Sequence, residues 1–107
     1  MNKECFPIYS EFAGDEEIGE IIILYAEEMP DRAARLQAEL DAENWDRLQE
    51  LSHQIKGSAG SHGFPMVSRA AAHLNNLIKN DGFREQIVEA AEKLIDMCLR
   101  TTGEIKP

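Results

Sequence analysis

At 107 residues the chain has room for one hydrophobic core and none for a catalytic domain with a separate regulatory one. Its 43% hydrophobic and 29% charged content is that of an ordinary globular domain, and 20 acidic against 11 basic side chains, net charge -9, exclude nucleic acid as a general partner. The longest aliphatic run, Ile21 to Leu24 extended by Tyr25 and Ala26, falls far short of the roughly 18 to 20 apolar residues that a membrane span requires.

Glu4 and Pro7 interrupt any basic and then apolar leader, so a cytoplasmic place is expected. Cys5 and Cys98 have no metal or redox spacing; they can pair, but the compartment favours reduced thiols with Cys98 buried. The initial Met1 suggests a stand-alone product over a domain of a larger sensor.

In chain order, Ile8 to Phe12 suggests a short extra helix or segment ended by Gly14. Asp15 is a candidate N-cap with Glu16 and Glu17 in the first turn. Beyond it Ile18, Ile21, Ile22, Tyr25, Met29, Ala33, Leu36 and Leu40 form one face of a long helix. Pro30 interrupts the pattern without changing its register, which predicts one kinked helix in place of two.

After a turn at Asp41 to Asn44, Asn44 caps a second helix carrying Trp45, Leu48, Leu51 and Ile55, which Gly63 ends. Pro65 opens a third, with the face Val67, Ala70, Ala71, Leu74, Leu77 and Ile78, before a loop at Asn80 to Gly82. The fourth carries Phe83, Ile87, Ala90, Ala91, Leu94 and Cys98, and Thr101 to Pro107 is expected to fray. No strand alternation or repeat is present. The expectation is an all-α, antiparallel up-down four-helix bundle forming a single domain over residues 1–107, with its core between about 15 and 98. No second apolar stripe stands out beyond the core faces, which predicts a monomer.

The second helix holds the sharpest local signal. At about 100° per residue, with His53 at zero, Gln49 falls near -40°, Lys56 near -60°, Gly57 near +40° and Gly60 near -20°. The core side, Leu48, Leu51, Ile55 and Ala59, lies opposite, so His53 faces solvent. Glycine costs a helix about 1 kcal/mol relative to alanine, and two beside His53 suggest that space for a bulky group or a partner is needed there. Lys56 can place an ammonium near an anion on the ring, and Ser58 adds a hydroxyl. A neutral imidazole is a competent nucleophile toward an activated phosphoryl group without a dedicated base, and the electrophilic activation would come from a partner.

His62, near 180° from His53, reads as a boundary histidine with a hydrogen-bond partner, and His73 as a surface residue. The histidines and cysteines do not have metal-ligand spacing, so no metal site is expected. Lys56-Gly57-Ser58 is not a phosphate-binding loop, because Leu51 stands where that motif requires glycine and no strand precedes it.

His53, Lys56, Gly57 and Ser58, with Gly63 ten residues after the histidine, resemble the His-x-x-Lys-Gly-Ser signature of histidine-containing phosphotransfer domains. The stretch from Leu24 to Leu36 with Glu27, Glu28, Met29 and Pro30, the turn into Asn44, Trp45 and Asp46, and the Leu74 helix resemble that family's order of elements over about residues 15 to 98. The resemblance implies a phosphocarrier that takes a phosphoryl group on His53 from a receiver domain's aspartyl phosphate, or from a kinase, and passes it on. Lys56 would stabilise the charge and Gly57 would permit close docking. Asn75 stands where relatives carry a Glu or Gln that orients the imidazole. Implied partners are receiver domains of response regulators and hybrid sensor kinases, and Mg2+ would belong to the receiver. The chain itself would need no cofactor and would be no enzyme. A helical adaptor that titrates a receiver or kinase by docking alone is the alternative.

Overall fold

A computed structural model describes residues 6–107. Cys5 and Met1 lie outside them, so the expectations placed on those two residues have no counterpart here. The described residues form strand β1 (Ile8–Tyr9), helices α1 (Gly19–Asp41), α2 (Trp45–Ser61), α3 (Pro65–Lys79) and α4 (Arg84–Arg100), and strand β2 (Thr101–Thr102). The expected all-α bundle is therefore present, with a minute two-stranded addition.

The helix ends follow local chemistry. Asn44 accepts a hydrogen bond from the Arg47 N–H at 3.4 Å and starts α2; Pro65 opens α3, where its missing N–H costs nothing. Pro30 lies inside an unbroken α1 of 23 residues, so one helix and not two carries the Ile22 to Leu40 stripe. Its ring leaves the Ala26 carbonyl without its helical donor. Met29, Leu36, Leu48, Phe64, Val67, Leu74 and Leu94 are fully buried between the four helices.

Several expectations are corrected. Ile8 to Phe12 is not helical: Ile8 and Tyr9 pair in parallel with Thr101 and Thr102, and a turn follows that Gly14 closes at φ +79°. The same pairing holds Thr101 and Thr102, which were expected to fray. Helix α1 starts at Gly19 and not after Asp15, because Asp15 Oδ1 accepts from the Glu17 and Ile18 N–H groups at 2.7 and 3.1 Å and holds a separate turn. Phe83 is the residue before α4 and is 74% exposed. Ile21 is 52% and Leu24 61% exposed, so the expected core face of α1 is narrower and an apolar ridge is left on the surface. That ridge removes the ground on which a monomer was expected.

The N-terminal segment clamps the turn between α2 and α3. Glu11 N–H donates to the Gly63 carbonyl at 2.8 Å, and the Ser10 hydroxyl donates to the His62 carbonyl at 2.6 Å. Gly63 has φ +80°, and a Cβ there would stand 2.6 Å from Ser10 Oγ and 2.9 Å from Phe12 Cδ2. The glycine thus ends α2 and also makes room for the crossing chain.

Gly63→Ala should lower unfolding stability by roughly 2 to 4 kcal/mol, from the left-handed backbone and the clash together; urea titration checks it. A second expectation concerns alkaline pH. Burial pushes the Cys98 thiol from 9.0 up to about 12. Burial also raises the Tyr25 phenol above 10.0, against an opposing hydrogen bond from Ser58. The unfolded chain loses these protons first, so their contribution is complete below about pH 9 and declines as pH rises toward about 12. Urea midpoints should fall from about pH 8 to about pH 11, and less steeply in Cys98→Ala.

Candidate phosphoryl-accepting site

The inner side of α2, Leu48, Leu51, Ile55 and Ala59, is buried, and this fixes the outward direction of His53. Ser52 is also buried there, its hydroxyl returned to the Gln49 carbonyl at 2.8 Å. His53 is exposed and makes no hydrogen bond to any described residue, so the lone pair of its unprotonated ring nitrogen is unengaged.

Beside it is an open recess of about 670 Å³ between α2 and α3. From α2 it is lined by Asp46, Gln49, Glu50, His53 and Lys56, and from α3 by Asn75, Asn76 and Lys79. The helices run antiparallel. Ser68 therefore lies opposite Lys56, its hydroxyl donating to the Lys56 carbonyl at 2.7 Å, while Lys79 comes up beside Gln49 and Asp46 at the other end. Lys56 and Lys79 thus line opposite ends of the recess, and neither is in an ion pair with a described residue. Asn75 is 8% exposed, and its Oδ1 is the one buried side-chain oxygen or nitrogen without a partner among the described residues. An orphaned buried amide oxygen costs about 1 to 3 kcal/mol unless a donor reaches it, and this one belongs to a residue that lines the recess with His53.

Of the residues singled out in the sequence, His53, Lys56, Gln49 and Asn75 are brought together. A Cβ at Gly57 would meet nothing within 4 Å, so the surface beside this turn of α2 is open. Gly60 differs: its Cβ would sit 3.3 Å from Ser68 Oγ, so its bareness serves the approach of α3. Ser58 points away from the recess. Its hydroxyl bonds the Tyr25 hydroxyl at 2.7 Å and so ties α2 to α1. Gly63 lies under the N-terminal crossing. His62 is the partnered boundary histidine expected: its ring stacks on Tyr25 at 4.1 Å, and its Nδ1 lies 2.6 Å from the Ser58 carbonyl, to which an Nδ1–H donates.

Lys79 and Asn76 were missed. Lys79 is one helical turn from Asn75, and that spacing would have found it once α3 was laid antiparallel against α2. Among the described residues no three His, Cys, Asp or Glu side chains form a cluster that could hold a metal ion.

The sequence model of the Hpt domain family matches residues 20–105. No curated protein and no solved structure matches the chain.

The open space at Gly57 separates stability from access. Gly57→Ala should raise unfolding stability by up to about 1 kcal/mol, because a helical glycine is replaced without a clash. Gly57→Phe should leave the fold intact and weaken binding of any partner that reaches His53, read by calorimetric titration with that partner.

Proposed function

The chain belongs to the Hpt domain family, a family of phosphorelay modules, and from that membership we propose that it carries a phosphoryl group on His53 between receiver domains. The single observation that carries the reading is the recess itself, which an exposed His53 without a hydrogen bond to any described residue lines together with Lys56 and Lys79.

In the forward step the unprotonated ring nitrogen of His53 attacks the phosphorus of a receiver's aspartyl phosphate. The N–P bond forms as the P–O bond to the carboxylate breaks, and the electron pair leaves with the carboxylate. The other ring nitrogen keeps its proton. Asn75 can accept that N–H if its amide turns its oxygen toward the ring, which would fix the tautomer and the ring plane. Lys56 and Lys79 offset the charge of the bound phosphoryl group from two sides. Attack by an aspartate of a second receiver reverses the chemistry. Metal and cationic activation belong to the receiver, so the chain acts as a carrier and not as an enzyme.

The docking face follows from the same geometry. The Tyr25 to Ser58 hydrogen bond sets the first turns of α1 level with the residues after Gly57, so exposed Ile21 and Leu24 offer an apolar rim beside the bare helix. A receiver seated there would bury that rim and bring its aspartate to His53. No helix among the described residues is long and apolar enough to cross a membrane; a cytoplasmic carrier working on receivers of response regulators or hybrid kinases is the reading we adopt.

Incubation with a panel of phosphorylated receivers tests it. Wild type should acquire acid-labile, alkali-stable label, and a folded His53→Gln chain should acquire none. Lys56→Gln and Lys79→Gln should each shift the transfer equilibrium toward the receiver several-fold, in line with single charges near a solvated anion. Label persisting in His53→Gln, or receivers that bind without transfer, would replace the carrier with another acceptor or with a docking adaptor.

A further inference from the structure

On the other side of α3 lies a second groove, of about 280 Å³, between α3 and α4. Met66, Arg69 and His73 border it from α3, with Ala70 on its floor. Ala90, Lys93 and Met97 complete it from α4. At about 100° per residue, Met66, Arg69 and His73 stand roughly 120 to 180° around α3 from Asn75, so this groove and the His53 recess use different faces of one helix. The two small side chains, Ala70 and Ala90, are what open it. The antiparallel course of α3 and α4 brings exposed Met66 to the end where Met97 lies, and sets Arg69 and Lys93 along the walls.

Its charge is unlike that of the molecule. The chain is net -9, yet no acidic residue lines the groove. Arg32, Arg47, Arg84 and Arg100 are each engaged by a carboxylate. Arg69 and Lys93 have no such partner among the described residues, although Glu89 and Glu92 stand nearby on the outer side of α4. Methionine at one end supplies an adaptable apolar seat, and two uncompensated cations supply complementarity to carboxylates.

We propose that the α3–α4 groove docks an acidic amphipathic helix of a protein other than the receiver, with carboxylates one turn apart flanking an apolar side chain that seats against Met66. This does not depend on His53 accepting phosphate. Because the groove and the recess occupy opposite sides of α3, the chain can hold this partner and a receiver together, which would tether the carrier near its donor or acceptor and raise their effective concentration.

The test uses the full chain with methyl-labelled methionine and a blocked helical peptide bearing glutamates one turn apart on either side of a leucine. Its counterpart has glutamine at every glutamate. The acidic peptide should shift the Met66 and Met97 methyls saturably, leave buried Met29 unmoved, and bind at least tenfold more weakly at high salt and in the Arg69→Gln/Lys93→Gln chain. Binding should survive saturation of the His53 face by a receiver. Equal shifts from the glutamine peptide, shifts confined to the His53 recess, or displacement by a receiver would overturn the proposal. So would concentration-dependent shifts of the same methyls without peptide, which assign the groove to a second copy, or tighter binding to anionic vesicles than to the peptide.

Discussion

The antiparallel packing of α2 on α3 is the constraint on which the site depends. His53 and Lys56 come from one helix, Asn75 and Lys79 from the other. A rotation of α3 by one residue, about 100°, would carry Asn75 away from its place in the recess. What fixes that rotation is burial. Phe64, Val67, Ala71 and Leu74 are fully buried against a similarly buried Leu48, Leu51, Ile55 and Ala59. At about 1.5 to 3 kcal/mol for each large side chain kept from water, a misrotated α3 loses far more than one orphaned amide oxygen costs. The stability of the core thus supports a locally unsatisfied Asn75.

Helix α2 and its cap use two histidines in opposite ways. His62 is stacked on Tyr25 and bonded to the Ser58 carbonyl, and its own carbonyl takes the Ser10 hydroxyl. It belongs to a polar network that joins α1, the end of α2 and the N-terminal segment. His53, nine positions earlier, is held by nothing but its helix. In the proposed carrier role, a ring nitrogen without an internal hydrogen bond has none to break before each transfer.

The sequence made the helices and the outward direction of His53 legible because both are local. Asn44 and Pro65 are capping signals, and a buried stripe opposite His53 decides its face with no tertiary information. Long-range features were not legible. A strand of two residues has no period to read, and Ile8 and Tyr9 become one only because Thr101 and Thr102 arrive beside them. Ser58 appeared to belong to the reactive face because it follows Gly57, whereas its hydroxyl is taken by Tyr25, 33 residues away. Phe64 sits in a turn, outside any helical stripe, and is nevertheless a fully buried part of the core. Lys79 was hidden for the opposite reason: one basic residue at a helix end is a common dipole partner, and only the neighbouring helix gives it a different role.

The placement of charge follows from the same helix. Arg32, Arg47, Arg84 and Arg100 pair with carboxylates at exposed or half-buried sites worth little to stability. Lys56 and Lys79 on one side of α3, and Arg69 and Lys93 on the other, have no ion-pair partner among the described residues. An unpaired cation on a chain of net -9 keeps its attraction for an incoming anion. In the proposed carrier role, a phosphoryl group on His53 would enter a recess that Lys56 and Lys79 also line. The net charge read from composition therefore describes neither groove: no acidic residue lines the one between α3 and α4, and the recess beside His53 carries two charges of each sign.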